Sequence, residues 1–139
     1  MTRRAAVLVW GSLLVVPFFF LAVASQFRWG HDAREVAGLL FWLTVLASAF
    51  NIALSRFLPQ RLGPFRAGRE ATAFTRLLVA WALCEAAALF PLVVWIVSGD
   101  PRLLGVFVVD LLALLTLFPS DARWESLSPP EPTGSRSLR

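Results

Sequence analysis

The stretch that decides the fold is residues 73–97, AFTRLLVAWALCEAAALFPLVVWIV, an apolar run with Arg76 near its start and one carboxylate, Glu85, near its middle. Wound as a helix, it is longer than the about 20 residues needed to cross a hydrocarbon core. Three further runs of the same kind lie at about 5–24, 36–54 and 103–118. The chain of 139 residues is 58% hydrophobic with mean hydropathy +0.69, and its apolar residues come in blocks. A soluble domain of this length would have too little polar sequence to cover four such blocks. The fold class read from this pattern is all-α: a polytopic membrane protein whose residues 1–120 form one domain of four transmembrane helices.

The connections support that division. Ser98-Gly99-Asp100-Pro101 reads as a tight turn in which Gly99 ends one helix, Asp100 caps the next and Pro101 suits its first position. Runs three and four are therefore expected to form an antiparallel hairpin, with Arg102 snorkelling from the shorter fourth run. Pro17 and Pro91 are expected to kink the helices that contain them. The first run follows Arg3 and Arg4 and reads as a retained anchor; Ala22-Val23-Ala24 before Ser25 leaves a cleaved signal peptide as the alternative. After Pro119 the composition turns to Ser, Pro, Glu and Arg, with Pro129, Pro130 and Pro132 close together. Residues 121–139 are accordingly read as a disordered tail.

All 13 basic residues are arginine, and they cluster between the apolar runs. Arg3 and Arg4 precede run one, while Arg56, Arg61, Arg66, Arg69 and Arg76 surround the connection between runs two and three. Arg28 and Arg34 in the first connection are offset by Asp32 and Glu35. The positive-inside rule then places both termini and the middle loop in the cytoplasm, and the expected location is a cell membrane, the inner membrane of a bacterium. The net charge of +4 and the pI near 11.3 are topology signals. No basic block with interleaved aromatics forms a nucleic-acid surface, so the expected partners are the bilayer and other membrane subunits or further copies of the chain.

Little other chemistry is available. Cys84 is the only cysteine and His31, in the first connection, the only histidine, which excludes a disulfide framework and a cysteine- or histidine-rich metal site. Glycine-rich phosphate loops, metalloprotease helices and nucleophile elbows are absent, so no catalytic residue and no cofactor is expected. Trp29, Trp42 and Trp95 fall toward the outer interface, where indoles anchor helices.

What remains is a pair of intramembrane acids. A carboxylate at a helix centre costs about 2.5–3.5 kcal/mol to insert, which makes Glu85 a candidate functional residue. Asp110 lies near the middle of run four, and counting from the turn places the two carboxyls within roughly one helical turn of the same depth. Such a pair could share a proton or hold a monovalent cation; the bland alternative is that both acids pin helices together. Thr44, Ser48, Asn51 and Ser55 form a polar stripe on run two, with Asn51 as the neighbour assigned to the ion site and interhelical hydrogen bonding as the stripe's plainer use. Small residues around Glu85, spaced as Ala80/Cys84 and Ala82/Ala86, mark a packing face.

Arg76, Ala82-Leu83-Cys84-Glu85-Ala86, Ala88-Leu89-Phe90 and Leu92-Val93-Val94 together resemble the carboxylate-bearing helix of the rotary ATP synthase c subunit, the ion-carrying proteolipid. The resemblance is confined to residues 76–97. It implies that Glu85 is the ion-binding carboxylate. The partner helix departs from the family, carrying Phe41, Trp42 and Phe50 where the c subunit is glycine-rich. The functional expectation is a proton or monovalent-cation binding subunit, with a non-catalytic structural or assembly subunit as the alternative.

Overall fold

The computed structural model describes residues 2–26, 34–63 and 68–128, which form five helices and no strand. These are α1 (Arg3–Ala24), α2 (Arg34–Arg61), α3 (Arg69–Ser98), α4 (Arg102–Leu115) and α5 (Asp121–Leu127). Three of them, α1, α2 and α3, are long and apolar enough to cross a membrane. At 14 residues α4 is about 21 Å long, shorter than a hydrocarbon core of about 30 Å.

The central element is α3, which packs against each of the other four. Its buried residues Leu77, Ala80, Trp81, Cys84, Ala87, Ala88, Pro91 and Leu92 recur at three- and four-residue steps, the spacing of a single helical face. Ala80 and Cys84 belong to this face, whereas Ala82 and Ala86 point outward, so only one of the two expected small-residue pairs packs. One apolar cluster joins Ala6, Phe74, Leu77, Trp81, Leu114 and Leu117. A second, toward the other end of α3, joins Ala88, Leu92, Phe107 and Leu111, with Leu14, Phe20 and Leu21 of α1 against it.

Contacts at the two ends fix an alternating course for α1 to α4. Arg3 donates to the carbonyl of Pro119 at 3.1 Å and pairs with Asp121 at 2.5 Å, so the start of α1 meets the end of α4. Arg76, early in α3, donates to the carbonyls of Leu62 and Leu127, which brings the ends of α2 and α5 to that same end. At the opposite end, the Arg102 guanidinium lies 4.5 Å from the ring centre of Phe41, near the start of α2.

The hairpin turn follows its sequence signals. Gly99 has φ 66°, and its N–H closes on the Trp95 carbonyl at 2.8 Å. Asp100 Oδ1 accepts from the Arg102 N–H at 3.0 Å at the start of α4, although the N-cap position itself is Pro101, one residue later than the sequence signals suggest. Helical structure runs unbroken through Pro17, Pro59 and Pro91, and α2 continues past Leu54 to Arg61.

The end of α4 has its own solution. The last carbonyls of a helix lack internal donors. Here the Trp10 indole N–H reaches the Leu114 carbonyl at 3.3 Å and the Trp81 indole N–H reaches Leu117 at 3.0 Å. Side chains of α1 and α3 therefore terminate α4 inside the bundle.

Asp121–Leu127 is helical, within the stretch read from sequence as disordered. Ser120 caps it by accepting from the Arg123 N–H at 3.3 Å, and Trp124 and Leu127 pack on the first apolar cluster. Seven residues are too few for a helix stable by itself, so α5 depends on these tertiary contacts. Residues 129–139, Arg28, Trp29, His31, Asp32 and Arg66 lie outside the described residues.

Candidate functional site

Of the two central acids, Asp110 is the enclosed one. It lies on the inner side of α4, fully buried, with the Ser48 hydroxyl of α2 donating to Oδ2 at 2.9 Å. Its second oxygen, Oδ1, is buried with no hydrogen-bond partner among the described residues. Unpaired buried polar atoms are uncommon and costly, and an unpaired carboxylate oxygen more so.

Asp110 and Ser48 border a groove of about 410 Å³ between α2 and α4. Phe41, Val45, Ala49 and Ile52 form its α2 wall; Arg102, Gly105, Val106 and Val109 form its α4 wall. Gly105 helps to create the space, since a Cβ there would meet nothing within 4 Å. The groove reaches from Arg102 to Asp110, eight residues apart on one helix or about 12 Å in depth. Its rim charge is already engaged: Arg102 binds both oxygens of Asp100, the shortest bond being 2.6 Å from Nη2 to Oδ2. Hydrogen bonding from Arg102 holds the Asp100 carboxyl below the usual carboxylate range.

The remaining predicted site residues lie elsewhere. Glu85 is half-buried on the flank of α3 and makes no hydrogen bond or ion pair with a described residue. Asn51 Nδ2 donates to the Ala47 carbonyl of its own helix at 3.0 Å. Asp110 thus takes Ser48 as its partner, and neither Glu85 nor Asn51 is hydrogen-bonded to it. The polar stripe on α2 makes two interhelical contacts: Ser48 with Asp110, and Ser55 accepting from the Cys84 thiol at 3.3 Å. Thr44 is buried but donates back to the Leu40 carbonyl at 2.7 Å. Among the described residues no group of three or more His, Cys, Asp or Glu side chains could hold a metal ion. No protein-family model, curated protein or solved structure matches the chain.

The arrangement has a definite chemical capacity. An ionised Asp110 offers Oδ1 lone pairs toward a small cation, with the Ser48 hydroxyl oxygen as a second ligand atom nearby. A protonated Asp110 presents an O–H donor and keeps an acceptor for Ser48.

The sequence reading did not pair Ser48 with Asp110. The signal was present in the stripe, because Ser48 and Ser55 are seven residues apart, two turns along one helical face. Trp81 was also missed, although a buried indole N–H needs an acceptor and a short α4 needs donors for its last carbonyls.

Proposed function

We propose that this is an integral membrane protein that binds, and passes on, a proton or a monovalent cation at Asp110. The observation that carries the reading is the buried Oδ1 of Asp110, without a partner among the described residues, on a side chain that lines the α2–α4 groove. A charge stripped of water is expensive, so an anionic Asp110 in a bilayer is neutralised by a proton or by a cation. The groove supplies an approach from the end of the bundle at which Arg102 lies.

The membrane setting rests on α1, α2 and α3, and on the outward apolar residues Leu8, Phe19, Leu39, Leu46, Phe50 and Phe57, each more than 60% exposed. In this reading α4 is the fourth span. Its shortness is compatible with crossing because Trp10, Trp81 and Arg3 satisfy the carbonyls at its end and Arg102 reaches the opposite interface. Arg3, Arg56, Arg61, Arg76 and Arg123 then lie at the cytoplasmic end, with both termini inside.

The test is proton or cation flux into liposomes containing the purified protein. Asp110→Asn is expected to abolish a flux that wild type sustains, and Glu85→Gln to leave most of it. Unchanged flux in Asp110→Asn would discard the reading. One observation favours an assembly subunit instead: Glu85 is half-exposed at mid-helix without a partner among the described residues, as expected where a neighbouring membrane chain completes it. That reading predicts loss of co-purifying membrane proteins in Glu85→Gln, with no flux in any form of the isolated chain.

A further inference from the structure

A second cavity lies at the arginine-rich end, distinct from the groove at Asp110. It encloses about 170 Å³ between α2, α3, α5 and the end of α4. That is several times the roughly 30 Å³ that one water occupies in the liquid. Its polar lining comes from Ser55, Arg56, Gln60, Arg123 and Ser126, and no carboxylate lines it.

Two arginines thus line one pocket, and none of its lining residues is an acid. Arg56 donates from Nη2 to the Thr116 hydroxyl, which leaves other N–H donors of its planar fork free to reach a ligand. Arg123 makes no side-chain hydrogen bond or ion pair with a described residue. It is nevertheless held in place, because α5 is tied down by Arg76 on the Leu127 carbonyl and by Arg3 on Asp121. Partial burial, and after it the neighbouring Arg56 charge, push the Arg123 guanidinium below its ordinary value. Arginines brought together among serine hydroxyls and an amide match the donor set that recognises phosphoryl oxygens.

We propose that the pocket formed by Arg56 and Arg123, with Ser126 and Gln60 at its edge, binds a phosphoryl anion. The ligand chemistry is an anionic phosphoryl group, supplied either by a membrane lipid headgroup as a phosphodiester monoanion or as free inorganic phosphate. The site stands on charge and cavity geometry and does not depend on ion binding at Asp110.

The test uses the full chain in nanodiscs of phosphatidylcholine alone, titrated with inorganic phosphate, and in nanodiscs containing phosphatidylglycerol. Trp124 adjoins Arg123 in α5, so its fluorescence serves as the reporter, and native mass spectrometry counts retained lipid. Saturable binding of at least one probe by wild type is expected, weakened about tenfold or more in Arg123→Gln. Partial retention in Arg123→Lys is expected as well. Ser126→Glu places a carboxylate at the exposed edge of the pocket and is expected to abolish binding while circular dichroism and thermal unfolding stay unchanged. Binding of inorganic phosphate without retention of phosphatidylglycerol identifies the soluble source; retention of phosphatidylglycerol lost in both variants identifies the lipid. Binding of neither probe to wild type, or equal binding by wild type and Ser126→Glu, would overturn the proposal.

Discussion

The Ser48 hydroxyl donates to Asp110 Oδ2 at 2.9 Å, joining α2 to α4 through one oxygen of a carboxyl whose other oxygen has no partner among the described residues. A structural pin would satisfy both oxygens, since a half-paired buried carboxyl costs more than its hydrogen bond returns. Asp110→Asn is therefore expected to leave thermal stability in detergent unchanged or raise it. Ser48→Ala, which also strips Oδ2, is expected to cost about 1–3 kcal/mol. A large loss of stability in Asp110→Asn would move the residue into the role of helix glue.

Space beside Gly105 controls how Asp110 is reached. A side chain added there meets open groove, so Gly105→Leu should fold as wild type or slightly better, a helical glycine being about 0.5–1 kcal/mol worse than alanine. It should also narrow the approach. Labelling of Asp110 by a hydrophobic carbodiimide, located by mass spectrometry, is expected to slow several-fold in Gly105→Leu. Equal labelling rates would mean that the carboxyl is reached by another path.

The indole of Trp81 carries a heavier structural duty than that of Trp10. Trp81 is fully buried and caps the Leu117 carbonyl at 3.0 Å; Trp10 is half-buried and caps Leu114 at 3.3 Å. Trp81→Phe keeps most of the apolar volume but orphans a carbonyl, which should cost about 1–3 kcal/mol. The same change at Trp10 should cost less, and thermal unfolding of the two variants orders them.

Helix positions were readable because apolar runs of this length, bounded by charged and turn-forming residues, are too long for strands and suit helices. The hairpin turn was readable because Gly99, Asp100 and Pro101 each carry a local backbone preference. Rotation about a helix axis is a different matter. Cys84 and Glu85 are neighbours in sequence but 100° apart around α3, and that step separates a fully buried thiol from a carboxyl on the flank. Counting from the turn put Glu85 and Asp110 within roughly one helical turn of the same depth; packing, which needs all the helices at once, decided that Asp110 meets Ser48. The helix α5 was illegible for a related reason, since its seven residues acquire their stability from α1 and α3 rather than from their own composition.

The turn between α3 and α4 gives a pH signature. Arg102 holds the Asp100 carboxyl below its ordinary value, so the folded protein binds a proton there less readily than the unfolded chain. Stability from this pair is fully present above the ordinary carboxylate range near pH 4, and it is lost as pH falls through the lowered folded value. Wild type should therefore lose stability over that acid interval more steeply than Asp100→Asn, and the two should run parallel between pH 5 and 8. The difference should be small, because the Arg102 side chain is 58% exposed.

Arg76 links two helix ends with one guanidinium. Nε and Nη2 donate to the Leu62 carbonyl at 3.2 and 2.6 Å, and Nη1 donates to the Leu127 carbonyl at 2.7 Å. These carbonyls follow or close α2 and α5, where helical partners run out. A lysine has a compact head that cannot reproduce the planar fork, so Arg76→Lys is expected to keep the charge yet lose one of the two attachments. Because α5 is short, its attachment is the one whose loss should show. Hydrogen exchange at residues 121–128 should accelerate at least tenfold in Arg76→Gln and by less in Arg76→Lys, while amides in the middle of α3 keep their protection. Uniform acceleration across α3 and α5 would instead mean that Arg76 supports the whole bundle, and unchanged exchange would mean that Trp124, Leu127 and the Arg3–Asp121 pair hold α5 without it.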